Sequence, residues 1–307
     1  MAPPAPVSIV ISVWNRREDL HENLAAVFQQ TVPAAEVIVV DNCSYDGTPE
    51  MVAQEFPQVR LIRMPDSHKG ACETFNIGFK AARQPWTAIL DDDVVLPPDW
   101  IATMLAAFAR EPETTALLTS KVREPGMPDW HVNSPAVNTP RYMATFRGCA
   151  SLARSEALRR AGYYDERFFI FGNERDLSAR LLNLGYRIKL EPRAEVFHKA
   201  PFGMRQGARS LYYHIRNFWL YAFKYMELED IARFPLQFLL KRIGSKAGKG
   251  AEVADATGTI GLFENIRSVR GGWWVVLKAH LAALVNLPYC LKRRQVCRAP
   301  DFQPPLL

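Results

Sequence analysis

Hydrophobic and polar positions in the first hundred residues alternate between two periods. The runs VSIVISV (7–13), EVIVVD (36–41), VRLIR (59–63) and WTAIL (86–90) are short, apolar and rich in β-branched residues, the pattern of strands buried on both faces. Between them the spacing turns helical. In 18–30 the residues Leu20, Leu24, Val27 and Phe28 share one face; at 48–55 Thr48 can cap a helix with Pro49 at its first position; and 69–83 is a third helical stretch. Strands separated by helices at this spacing predict an α/β fold with a mostly parallel central sheet flanked by helices on both faces.

From about residue 115 the pattern is mixed. TALLTSKV reads as a strand, and the Pro-rich stretch REPGMPDWHVNSPAVNTPRY as a long loop of the kind that forms a lid or substrate loop. SEALRRAG predicts a short helix stopped by Gly162, and ERDLSARLLNLG an amphipathic helix with Leu177, Leu181, Leu182 and Leu184 inward. YRIKL and AEVFH predict two further strands. These boundaries divide the chain into an α/β domain at 1–205, with halves 1–100 and 101–205, and a helical C-terminal region at 206–307.

Charge sharpens that division. Residues 1–205 carry 23 Lys and Arg against 25 Asp and Glu, whereas residues 206–307 carry 15 against 7. The net charge of +6 therefore belongs to the last third, and a nucleic-acid partner is not indicated. Apolar, aromatic-rich stretches at 218–226, 234–244 and 271–294 are bounded there by Lys and Arg. None offers the uninterrupted apolar length of a spanning helix. Trp273, Leu277, Leu281 and Leu284 follow helical spacing, with Arg267 and Arg270 before them and Lys292, Arg293 and Arg294 after. This suits an amphipathic helix on an anionic membrane surface; packing on the catalytic domain or in a dimer is the alternative. The N-terminus lacks the pattern of a signal peptide. The five cysteines form no CxxC pair, which fits a reducing compartment and argues against a zinc site. The expected location is cytoplasmic and peripheral on the inner face of the membrane.

The candidate chemistry lies where the predicted strands end. Open α/β sheets bind ligands beyond the carboxyl ends of their strands. WNRRED, DNCSYDGT and the triplet Asp91, Asp92, Asp93 all fall there. In an extended segment Asp91 and Asp93 share a face, and two converging carboxylates suit a hard cation such as Mg2+ or Mn2+ that keeps positions open for phosphate oxygens.

The ordered set VSIVISVWNRREDLHENLAAVFQQ, VIVVDNCSYDGT, LDDDVVLPPDW, FRGCASLARSEALRRAGYYDERFF, GNERDLSARLLNLGYRI and AEVFHK resembles the inverting family 2 glycosyltransferases of the GT-A fold. Within them it is most similar to rhamnosyl- and galactofuranosyltransferases that build bacterial surface polysaccharides. The resemblance implies that Asp41 binds the base of a nucleotide-diphosphate sugar and that Val13, Asn15 and Arg16 lie along the nucleoside. It makes Asp91 and Asp93 the ends of a DxD metal motif, with Asp92 beside the donor. It implies Glu174 as general base and His198 as a third metal ligand. Arg209, Tyr212 and Arg216 in GARSLYYHIRN have the chemistry to lie over the diphosphate, with a solvated helix face the alternative. Four positions depart from the family pattern: Trp14 replaces its usual Tyr, Asn173 its Glu, Glu174 its Asp, and Phe75 its Arg.

The expected activity is transfer of a sugar from a UDP- or dTDP-sugar to a glycan or lipid-linked acceptor, by direct displacement in a metal-dependent, inverting reaction. A sugar nucleotidyltransferase would show a GxGxR loop after its first strand, and SVWNRRED has none. A non-catalytic glycan-binding or scaffold protein of this fold would have lost the acidic groups that this chain keeps. No motif encodes the sugar, the acceptor or whether the chain forms a homo-oligomer.

Overall fold

The computed structural model describes residues 3–233 and 262–303. The apolar stretch at 234–244 lies outside the described residues. Nine strands form one sheet in the order β3-β2-β1-β4-β8-β6-β9-β5, with β7 paired to β9. The strands are β1 (Ala5–Val13), β2 (Ala34–Asp41), β3 (Arg60–Arg63), β4 (Trp86–Asp91), β5 (Val94–Val95), β6 (Thr115–Arg123), β7 (Arg141–Met143), β8 (Ala150–Arg154) and β9 (Arg187–His198). Strands β3, β2, β1 and β4 run parallel, as do β6 and β9; β8, between β4 and β6, is antiparallel to both.

Alternation along the central strands sorts their side chains into two cores. Val10, Ile38, Val40 and Ile89 face one way; Ile9, Ile11, Val37, Val39, Ala88 and Leu90 face the other. Helices α1 (Arg17–Phe28), α2 (Thr48–Glu55) and α4 (Trp100–Phe108) contribute to the second core. Helix α3 (Ala71–Ala81) contributes to the first, with further helices at Ser155–Ala161, Asn173–Asn183 and Ala208–Tyr225. Ala283, Cys290 and Cys297 from the C-terminal region join that same first core.

Several expectations are corrected. The two strands predicted over 186–198 are one, β9, whose pairing with β6 jumps from Ser120–Glu191 to Lys121–Glu195 around Pro192, a residue without an N–H to give the ladder. The segment expected as a long loop contains two single-turn helices, Asp129–Val132 and Pro135–Asn138, and β7. The N-cap of α2 is Gly47, at a positive φ of 86°, and not Thr48; Asp46, one residue earlier, accepts from the Thr48 N–H through Oδ1 at 3.1 Å. Phe28 and Leu184, expected inside, end their helices and are exposed. The helix expected over 271–294 breaks at Asn286 into Gly272–Val285 and Leu287–Lys292.

Candidate active site

A cavity of about 780 Å³ opens at the carboxyl ends of β1 and β4, and the predicted polar clusters converge on it. Val13, Asn15 and Arg16 line it after β1, Asn42 and Tyr45 after β2, and Asp91, Asp92 and Asp93 after β4. The loops after β1 and β2 are tied together. Ser44 Oγ accepts from the Asn15 N–H at 2.8 Å, and Asn15 Oδ1 accepts from the Tyr45 N–H at 2.9 Å. Asn15 and Cys43 hold positive φ to make these turns.

The acidic turn between β4 and β5 is pinned from below by Asn23 of α1, which donates to the carbonyls of Asp91 and Val94 at 3.1 and 2.7 Å. Short β5 pairs antiparallel with the end of β9, setting Val94 opposite His198. One ligand atom from each of Asp91, Asp93 and His198 lies within 4.8 Å of the others. His198 Nδ1 meets Glu124 Oε1 at 2.8 Å, which fixes the ring. Its Nε2 lies 3.1 Å from Asp93 Oδ1 but makes no hydrogen bond. A buried imidazole nitrogen without a hydrogen-bond partner, beside two carboxylates, is a donor set that fits a divalent cation. Burial opposes charge on His198, yet Asp93, Glu124 and Asp91 outweigh it and push the imidazole up to about 9, so the group favours positive charge. Arg16 and Arg205 reach the other oxygen of Asp93 at 3.1 and 3.3 Å. Burial and the neighbouring Asp93 raise Asp92 well above the ordinary carboxylate range.

Glu174 reaches the cavity from the first turn of helix Asn173–Asn183, entered through Gly172 at φ 72°. Burial, with a smaller contribution from Asp91, raises its carboxyl to about 7; hydrogen bonding to its own N–H and to Asn173 limits the rise. Gly148 leaves it room, because a Cβ there would sit 2.4 Å from Glu174 Oε1. Two residues on, Asp176 is fully buried and bonded to Lys224, Arg180 and Tyr225. Burial alone would raise its pKa, but Arg180 and Lys224 hold it below the ordinary value. Lys224 also meets Asp165 at 2.9 Å, so this network ties the Glu174 helix to helix Ala208–Tyr225.

Three predicted residues, Asp41, Tyr212 and Arg216, lie off the cavity wall. Asp41 is fully buried, accepting from the Ser44 N–H at 3.2 and 3.3 Å, with Arg63 at 3.8 Å. Arg216 turns its guanidinium to the Arg167 and Phe168 carbonyls. Arg209 of the same helix does line the cavity, as do Lys69, Arg147, Arg175 and Arg205, which the sequence reading did not single out. Phe75, where the family pattern has Arg, is 6% exposed and packs edge-on against Tyr164.

Residues 8–173 match the sequence family described as Glycosyl transferase family 2. The chain is 36% identical over 111 residues to the succinoglycan biosynthesis protein ExoO of Rhizobium meliloti, an alignment covering 34% of this chain and 32% of that one. It is 28% identical over 255 residues to the N-acetylglucosaminyl-diphospho-decaprenol L-rhamnosyltransferase of Mycobacterium tuberculosis, covering 69% of this chain and 82% of that one. The chain thus spans about a third of the first of these relatives and most of the second. Its fold is similar to that of the mannosyltransferase PcManGT from Pyrobaculum calidifontis, solved with GDP-Man and Mn2+, with a TM-score of 0.57 at 18% identity over 93% of this chain and 89% of that one.

Proposed function

The chain belongs to glycosyl transferase family 2, and from that premise we propose that it moves a sugar from a UDP- or dTDP-sugar to a glycan or lipid-linked acceptor, with inversion at the anomeric carbon. The observation that carries this reading is the single cavity joining the Asp91–Asp93–His198 group to the Glu174 carboxylate. The names of the two relatives, one acting in succinoglycan biosynthesis and one on a decaprenol-linked sugar, support an acceptor in surface-polysaccharide synthesis.

Asp91, Asp93 and His198 would hold Mn2+ or Mg2+, which supplies positive charge for the donor's diphosphate. Val13 and Asn15 lie along the nucleoside, and Asp41 orders the loop after β2 from behind. Arg16, Asp92, Arg205 and Arg209 surround the diphosphate end, where guanidinium groups stabilise the leaving oxygen. The acceptor hydroxyl attacks the anomeric carbon as the bond from that carbon to phosphate oxygen breaks. Its proton passes to Glu174, and the bonding pair departs with the diphosphate. A carboxylate titrating near 7 is ionised in a useful fraction of molecules and is basic enough to take that proton.

The test is nucleoside diphosphate release from a panel of UDP-, dTDP- and GDP-sugars with a lipid-diphosphate-linked acceptor, with the product's anomeric configuration read by NMR. The reading expects an inverted product and a loss of about 10²–10⁴-fold in kcat for Glu174→Gln, with donor binding kept. A retained configuration, or wild-type turnover by Glu174→Gln, would overturn it.

A further inference from the structure

Helix Gly272–Val285 is packed by its small residues and exposes its large ones. Gly272, Ala279 and Ala283 are buried, with Trp219 of helix Ala208–Tyr225 set 5.9 Å from His280. Trp273 is 67% exposed, Trp274 57%, Leu281 51% and Val285 79%. At 3.6 residues per turn, Trp273, Trp274, Leu277, Leu281, Leu284 and Val285 fall within one arc of about 120°. Exposed Leu291 lies on the helix that follows. Contiguous apolar surface of this kind marks a contact face.

The charge around that arc identifies what it contacts. Between Asn265 and Pro300 the sequence has seven Lys and Arg and no Asp or Glu. Arg267, Arg270, Lys278, Lys292 and Arg293 are exposed, and Lys278 Nζ stands 5.4 Å from the Trp274 ring. The helix is about 21 Å long, short of the roughly 30 Å of a hydrocarbon core. Among the described residues no helix is long and apolar enough to cross a membrane. Trp and Leu side chains on one face, edged by cations and with no carboxylate between Glu264 and Asp301 in sequence, match a bilayer interface. The rings seat at headgroup level, the alkyl groups enter the acyl boundary, and the cations meet anionic phosphates. Two copies of this face brought together would instead oppose cation to cation.

We propose that this face docks the protein on an anionic lipid surface, with helix Gly272–Val285 lying in the plane of the headgroups. Helix Ala208–Tyr225 then stands between bilayer and cavity: Asn217, Phe218 and Tyr221 line the cavity, while Trp219 meets the docking helix. A lipid-linked acceptor would reach the site from that side.

The test is sedimentation of the full chain with phosphatidylcholine vesicles, with and without phosphatidylglycerol. Binding should require the anionic lipid and weaken as salt rises. It should fall by about tenfold in the Trp273→Ser/Leu281→Ser variant and again in Arg270→Glu/Lys278→Glu, with unchanged circular dichroism and unchanged turnover of a water-soluble acceptor. Absence of binding, or binding indifferent to these substitutions, would overturn the proposal. So would a dimer that dissociates in the Trp273→Ser/Leu281→Ser variant without any lipid binding, which would assign the face to a second copy. Vesicle binding without sugar transfer would sink the proposed function and leave this inference standing.

Discussion

Replacing Gly148 with alanine separates the position of Glu174 from the rest of the fold. A Cβ at 148 would lie 2.4 Å from Glu174 Oε1 and 3.1 Å from its Cγ and Cδ, whereas ordinary contact begins near 3.4 Å. The carboxylate must therefore retreat by about 1 Å. Gly148 is not among the residues with positive φ, so alanine suits the backbone and only the side chain opposite has to move. Overpacking of one methyl should cost about 1–3 kcal/mol, which leaves a folded protein. A base displaced by about 1 Å should cost about 100-fold in rate. The assay is nucleoside diphosphate release at saturating donor and acceptor, run beside thermal unfolding and nucleotide binding. The expected variant binds nucleotide as the wild type does, melts a few degrees lower and turns over about 100-fold more slowly. A folded Gly148→Ala protein with wild-type kcat would refute the argument that the pose of Glu174 matters.

The pKa of Glu174 makes two further outcomes. Since the base acts ionised, kcat/KM should fall about tenfold per pH unit below about 7, measured from pH 5 to 9. A carboxyl raised from 4.5 to about 7 is favoured by folding in its protonated form and opposes folding once ionised, so Glu174→Gln should raise Tm above pH 7, with the gain vanishing as pH falls towards 4.5. Lys224→Met removes one partner from the buried Asp176 and should cost about 3–5 kcal/mol in urea unfolding, partly restored by adding Asp176→Asn. Glu124→Gln weakens the hold on His198 Nδ1 and should reduce Mn2+ affinity about 10–100-fold in a direct metal titration.

The first half of the fold was legible because β1 to β4 are apolar runs with clear helical spacing between them, and local pattern coincides with tertiary position. Legibility fails where the structure depends on distant partners. Nothing near Pro192 in sequence signals that β9 continues past it, because the continuity comes from pairing with β6 on both sides of the irregularity. The 123–142 stretch reads as a loop because its ordering comes from β9, to which β7 pairs. In the site, Asp91, Asp93, Glu174 and His198 were identified through ordered motifs, and all four line the cavity. Glu124 and Arg205 carried no motif, and Arg147 stands within FRGCASLAR without an assigned role: they enter because β6, the segment before β8 and the segment after β9 end near one another. Arg209 and Arg216 lie seven residues apart on one helical face, so spacing could not separate them; the structure leaves Arg209 on the cavity and folds the Arg216 guanidinium onto the Phe168 carbonyl.

The central claim is that Asp91, Asp93 and His198 form a metal-dependent donor site. Isothermal titration of UDP and dTDP, each with and without Mn2+, into wild type and Asp93→Ala tests it most directly. The account predicts nucleotide binding that requires Mn2+ in the wild type and is lost in Asp93→Ala, with both proteins equally folded. Nucleotide binding of equal strength without the metal, or undiminished in Asp93→Ala, would contradict it.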